Sequence, residues 1–314
     1  MKKIIFIAIF IFFGSYNYLY SYNVCTEYLD YPNDYDDDCV HQRSLDYTDD
    51  ASRGFHNTMG DHGDTKKWIW ANRDVWQTDY HENSRGNNEC NTSSGLWLGD
   101  DKTYTDSCEF AWWSGHGRTD FVGGVYDDSH AFWRGALMVE REDRGEYSCW
   151  IYSDRMRLGE SLSNYYSYDG YWDGIYHYSL GNTKYLMLYT CHGLDLGYIE
   201  HWHKSNRCPN TPSSQYGIFQ GLHMIFGFSG SATIDTITHD EDGEDFADEI
   251  HDDNIADAWL WAVSDMWWWD ENTIVVLSAG NSTYNSCYRL DNEWYYLEND
   301  PYPPTNFCWV YKYD

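Results

Sequence analysis

Residues 109–117 read EFAWWSGHG and residues 185–193 read YLMLYTCHG. Each is a near-continuous apolar run that stops on glycine-flanked histidine or on cysteine. A strand covered on both faces has no solvent side for alternating polar residues, so it is apolar throughout. Residues 222–228 (LHMIFGF) and 273–277 (TIVVL) have the same character. Between these two, residues 245–265 place Phe246, Ile250, Ile255, Trp259, Leu260 and Val263 near helical spacing, which predicts one amphipathic helix. The intervals 117–184 and 193–221 are long enough for the crossovers that parallel strands require. The pattern predicts an α/β domain over residues 66–283, a three-layer sandwich with a mainly parallel sheet.

The flanks differ from this domain. Lys2 and Lys3 precede ten apolar residues, 4–13, and then a small, polar and aromatic stretch, 14–21. Ten helical residues span about 15 Å, half of a hydrocarbon core of about 30 Å, so residues 1–21 read as a secretory signal peptide rather than a membrane span. Cleavage is expected between Ser15 and Tyr22, and the mature chain is expected outside the cytoplasm. Residues 22–65 are rich in Asp, Tyr, Asn and Gly with little periodicity and predict an irregular cover. Residues 284–314 carry two cysteines and Pro301, Pro303 and Pro304, and predict an irregular, bridged tail. The nine cysteines all lie beyond the leader, as export to an oxidising compartment favours. Nine is odd, so at least one thiol is left over within the chain. Pairing of nearest neighbours gives Cys25–Cys39, Cys90–Cys108, Cys149–Cys208 and Cys287–Cys308, and leaves Cys191. Asn91 and Asn281 head glycosylation triplets.

Charge narrows the partners. With 51 acidic and 20 basic residues the net charge is −31, and loss of Lys2 and Lys3 with the leader takes it to −33. The densest basic stretch, residues 140–144, alternates its signs, so nothing offers the clustered basic face that phosphates need, and nucleic acid is excluded. The 30 Tyr, 17 Trp and 13 Phe are far too much apolar surface for a disordered acidic chain.

The chemistry lies at the strand ends. If both strands are parallel, His116 and Cys191 meet at the carboxyl edge of the sheet, where α/β proteins bind ligands. A cysteine nucleophile needs an imidazole to take and return its proton, and donors for the oxyanion that develops on the attacked carbonyl. Gly117 lacks a Cβ, so its backbone can approach a substrate, and its N–H would join that of Cys191. The competing reading is structural: a cysteine at a strand end of a secreted protein is commonly half of a disulfide, and Gly-His-Gly a tight turn.

A hydrophobic strand ending in GHG, followed by one ending in cysteine, resembles the arrangement of the caspase, legumain, gingipain and clostripain clan of cysteine peptidases, over residues 109–230. The resemblance implies His116 as general base, Cys191 as nucleophile, a peptide or protein substrate and no required cofactor. In that clan the loop after the GFSG strand commonly lines the specificity pocket. Here it carries Asp235, which would favour Arg or Lys in the substrate. The set WWSGHG, YLMLYTCHGL and GLHMIFGFSG is also similar to that of an uncharacterised secreted domain family. Departures include the 75-position step from His116 to Cys191 and the HGL that follows the cysteine.

Other readings compete. Cys191 and His192 with His201 and His203 make a weak zinc set without paired Cys-x-x-Cys or His-Glu-x-x-His spacing. The run 240–245 (DEDGED) fails the EF-hand template, with Thr238 at its first position, and reads as carboxylates at a helix N-terminus. An irregular calcium site elsewhere on so acidic a chain stays open. The aromatic clusters 267–269, 165–166, 171–172 and 295–296 suggest sugar stacking or contact with other copies of the chain, against a default of core packing. The alternative function is therefore a non-catalytic extracellular protein that binds glycans or assembles with itself.

Overall fold

The computed structural model describes residues 21–30, 45–76, 79–80, 104–122, 132–138, 149–153, 156, 158, 162–163, 177–178, 182–199, 218–219, 221–231, 239–264, 273–295 and 306–313. Its strands are β1 (Asn23–Tyr28), β2 (Thr65–Ala71), β3 (Phe110–Ser114), β4 (Gly117–Val122), β5 (Phe132–Met138), β6 (Trp150–Tyr152), β7 (Leu162–Ser163), β8 (His177–Tyr178), β9 (Tyr185–Tyr189), β10 (Met224–Ser229), β11 (Thr273–Gly280) and β12 (Asn306–Tyr313). Its α-helices are α1 (Thr48–Asp61), α2 (Asp242–Glu249), α3 (Ile255–Ala262) and α4 (Thr283–Asn292).

All four apolar runs are strands of one seven-stranded sheet, ordered β12-β11-β10-β9-β3-β1-β2. From β2 to β10 the pairings are parallel, and β11 and β12 close the sheet antiparallel. The fold is therefore mixed α/β with a large, mostly parallel sheet. One face carries Phe110, Trp112, Met187, Phe226 and Val276 under the four helices, joined by Phe55, Phe246 and Trp259 from the helices themselves. Each such ring taken fully out of water contributes about 1.5–3 kcal/mol. The other face, with Trp113, Leu188, Ile225 and Leu277, is covered by Leu137 and Ile151 of the small β4-β5-β6 sheet and by Leu158, Leu194 and Phe219.

Three sequence expectations are corrected. Residues 22–65 are not an irregular cover: β1 lies inside the sheet between β3 and β2, and α1 packs on it. The alternation of this strand is hidden because Thr26 and Glu27, though polar, are buried; Thr26 Oγ1 lies 3.2 Å from His56 Nδ1 of α1. Nor is the tail irregular. It supplies α4 and the edge strand β12, tied by Cys287–Cys308, the one expected disulfide that the described residues contain. The single helix expected over 245–265 is two, because Asn254 caps α3 by accepting the Asp257 N–H and Ile255 N–H leaves the helix ladder for the Glu293 carbonyl.

Cys25 pairs with Cys108, not Cys39, since β1 lies against β3 and brings the two Cα atoms to 5.9 Å; this also removes Cys90–Cys108. Proximity along the chain is a poor guide once a strand inserts between its sequence neighbours. Cys149 is also in a disulfide. Between β3 and β9, where the crossover falls, the described residues form short strands.

Candidate active site

Strands β3 and β9 are neighbours and parallel, with Phe110 opposite Tyr185 and Ser114 opposite Tyr189. His116 and Cys191 each stand two residues beyond that last matched pair, so they leave the carboxyl edge side by side. The Gly115 N–H still donates to the Tyr189 carbonyl at 3.3 Å, which extends the ladder into the turn. Cys191 takes part in no disulfide, and both it and His116 are partly exposed.

Gly117 sits against the second turn. A Cβ there would lie 2.3 Å from Thr190 Oγ1 and 2.5 Å from the Cys191 carbonyl oxygen, distances no side chain tolerates. The position thus admits only glycine because of space. The Met138 N–H donates to the His116 carbonyl at 2.9 Å, and Gly117 is opposite Leu137. In an antiparallel ladder hydrogen-bonded and non-hydrogen-bonded pairs alternate, so the Gly117 N–H points away from β5.

The turn after Cys191 is stapled to the end of β10. His192 N–H donates to the Gly230 carbonyl at 2.6 Å, Leu194 N–H to the Phe228 carbonyl at 2.9 Å, and Leu196 N–H to Ser229 Oγ at 2.9 Å. His192 has φ 55°, a left-handed conformation that costs a non-glycine residue about 1 kcal/mol or more. Its ring lies 3.4 Å from Asp195 Oδ2, and Asp195 Oδ1 accepts the Gly197 N–H at 3.0 Å, opening a short 3-10 turn. Asp195 and Ser229 therefore shape this edge. Ser229 belongs to the GFSG segment, which was legible; Asp195 carried no sequence signal.

Beneath the cysteine, on the helical face, Tyr189 donates its hydroxyl to Asp242 Oδ2 at 2.7 Å, and His239 Nδ1 lies 2.8 Å from the same oxygen. Burial, then the Asp242 charge, raises the Tyr189 hydroxyl well above its ordinary pKa. Asp242 opens α2, so the acidic run 240–245 is a helix N-terminus, as read. Among the described residues no group of three or more His, Cys, Asp or Glu gathers to hold a metal ion. Of the other site expectations, Asp235, His201, His203 and Asn91 lie outside the described residues. Asn281 is exposed just before the Ser282 cap of α4.

The family follows from the chain as a whole. Residues 30–311 match the family model described as "Domain of unknown function (DUF6345)". The chain belongs to this family. Within the matched span of this DUF6345 domain lie both strand-end motifs, the buried Asp242 network and most of β12. No curated protein and no solved structure matches it.

Proposed function

We propose that this protein is a secreted cysteine-dependent hydrolase of the caspase-like clan, acting on peptide bonds with His116 as base and Cys191 as nucleophile. The observation that carries this reading is the in-register parallel pairing of β3 and β9, because each of the two residues follows two positions after the last matched pair. A Cys191 thiol outside the disulfides, with the Gly117 N–H turned from its own ladder, supports it. In the reaction the imidazole takes the thiol proton, sulfur adds to the carbonyl carbon, the Gly117 and Cys191 N–H groups receive the oxyanion, and the proton returns to the leaving amine. Water then releases the acyl group. Secretion is part of the same reading: the leader-like residues 1–21 and the disulfides favour it, and no helix among the described residues is long and apolar enough to cross a membrane.

Incubation with peptide libraries tests it. Cleavage lost in Cys191→Ala, with rapid alkylation of Cys191 at neutral pH that slows in His116→Ala, is the expected result. Cleavage that survives Cys191→Ala removes the mechanism.

One observation favours the non-catalytic alternative. Trp309, Tyr311 and Tyr313 share one side of the edge strand β12 and are 41%, 45% and 70% exposed. Rings in such a row can stack on sugars or on another copy of the chain. Glycan binding, or self-association lost on replacing all three, in a protein inert towards peptides would favour that reading.

A further inference from the structure

At the amino end of β1 the chain passes abruptly from solvent into the core: Ser21 is exposed and Tyr22 is 5% exposed. The Tyr22 main-chain N–H donates to Asp64 Oδ1 at 2.8 Å. The same oxygen accepts the Tyr295 hydroxyl, and the Tyr22 hydroxyl donates in return to the Tyr295 carbonyl at 2.7 Å. Asp64 is itself buried, and its Oδ2 has no hydrogen-bond partner among the described residues. One residue on, the Asn23 N–H donates to Glu109 Oε2 at 2.7 Å. Two carboxylates therefore face two successive main-chain nitrogens.

The basic side chains nearby have other partners. Lys184 Nζ lies over the Tyr22 ring, 5.7 Å from its centroid, and His62 pairs with Asp248 at 2.7 Å. His251 stacks on His62 and lies against Tyr295. A buried carboxylate oxygen left without a donor has lost its hydration with nothing in its place, which is costly. A main-chain amide, with one hydrogen, cannot fill both oxygens. An ammonium at the same atom has three hydrogens and a charge.

We infer that a leader peptidase cuts the Ser21–Tyr22 bond and that Asp64 holds the new Tyr22 ammonium as a buried ion pair. Water is the co-reactant: its hydroxyl goes to the Ser21 carbonyl carbon, its hydrogen to the Tyr22 nitrogen, and that amine then takes a proton from solvent. The inference rests on the leader reading given under Proposed function. Ser15 is an equally small residue to precede a cut, but cleavage there leaves the Tyr22 nitrogen an amide and Asp64 Oδ2 unfilled. Burial raises the Asp64 carboxyl, against the hydrogen bonds from Tyr295 and Tyr22, in the state where that nitrogen is an amide. An ammonium reverses this balance.

The full chain is expressed in a secretory host and the exported protein sequenced from its amino terminus. Tyr22 as first residue supports the inference. Any other first residue overturns it, and a chain that still carries Lys2 overturns the leader reading too. Chains released from a cleavable tag to begin at Tyr22 or at Ser21 isolate the docking step. The Tyr22 chain is expected to fold with an equilibrium constant about tenfold larger at pH 6, an advantage that fades as pH rises through an amine pKa above the ordinary value of about 8. Its amine should also acylate about tenfold more slowly than that of Ser21. Equal stability and equal acylation overturn the docking. Asp64→Asn is expected to erase the stability difference, and if that variant does not fold, the acylation comparison decides.

Discussion

The two ends of the parallel sheet are built differently around the strand termini. At the amino end, buried ionic and hydrogen-bonded networks lock the strands. Glu293 takes the Tyr185 hydroxyl at 2.5 Å, pairs with His223, and meets Arg289 at 2.8 Å. Burial works against the Glu293 charge, yet His223 and Arg289 outweigh it and hold the carboxyl below its ordinary value. At the carboxyl end the buried network of Tyr189, Asp242 and His239 lies on the helical face, while the central strands themselves run out into a turn at Gly115 and one through a left-handed His192, held chiefly by main-chain bonds. A locked end lets the other end keep strained, close-packed backbone beside a thiol without unravelling the strands that carry it.

The sharpest way to break this contrast is Glu293→Gln. It leaves Arg289 and His223 facing a neutral amide in the interior, and a loss of about 3 kcal/mol is expected in denaturant unfolding, with Cys191 alkylation unchanged in the folded protein. A small effect would show that the amino end is not the lock. Next in size is Gly117→Ala, whose Cβ must displace Thr190 or the Cys191 carbonyl, at about 1–3 kcal/mol, and which should change the alkylation rate of Cys191 several-fold. Gly63, in the turn before β2 at the other end, has open space where a Cβ would stand, so Gly63→Ala should cost about 1 kcal/mol from its φ of 102° alone and leave the thiol rate untouched.

Acid should loosen the amino end and the α1 contact before the carboxyl edge. Burial lowers His251 and His56 to about 4 each, with further lowering from His62 and Lys66 respectively. Unfolded histidine titrates near 6.5, so between about pH 6.5 and 4 the unfolded chain binds more protons and stability falls as pH falls. Asp64, raised by burial where the Tyr22 nitrogen is an amide, works in the opposite sense in the uncut chain. Unfolding free energy followed across that window should report a difference approaching two protons, reduced by about one in His56→Phe. The smallest expected effect is His192→Gly, which relieves a left-handed residue and should stabilise by up to about 1 kcal/mol while loosening the turn that holds Cys191.

What the sequence determined by itself was four adjacent strands of the sheet, β3, β9, β10 and β11. Strands covered on both faces must be apolar, so 109–113, 185–190, 222–228 and 273–277 announce themselves, and their abrupt ends mark His116 and Cys191. The odd cysteine count required one thiol to be left over, and Cys191 is in no disulfide, although two of the pairings that left it over are not formed. What only the tertiary structure decided was everything that depends on what lies beside a residue. Thr26 and Glu27 look like surface residues until α1 and the core close over them, so β1 was missed. Cys25 meets Cys108 because pairing is set by strand order, not by distance along the chain. Asp64, Asp195 and Glu293 are three acidic residues among 51 in sequence, and burial alone separates the two that lock the amino end from those that solvate the surface. The physical reason is the same each time: apolar patterning is a local record of burial, whereas the value of a polar group is fixed by neighbours that the chain brings from far away.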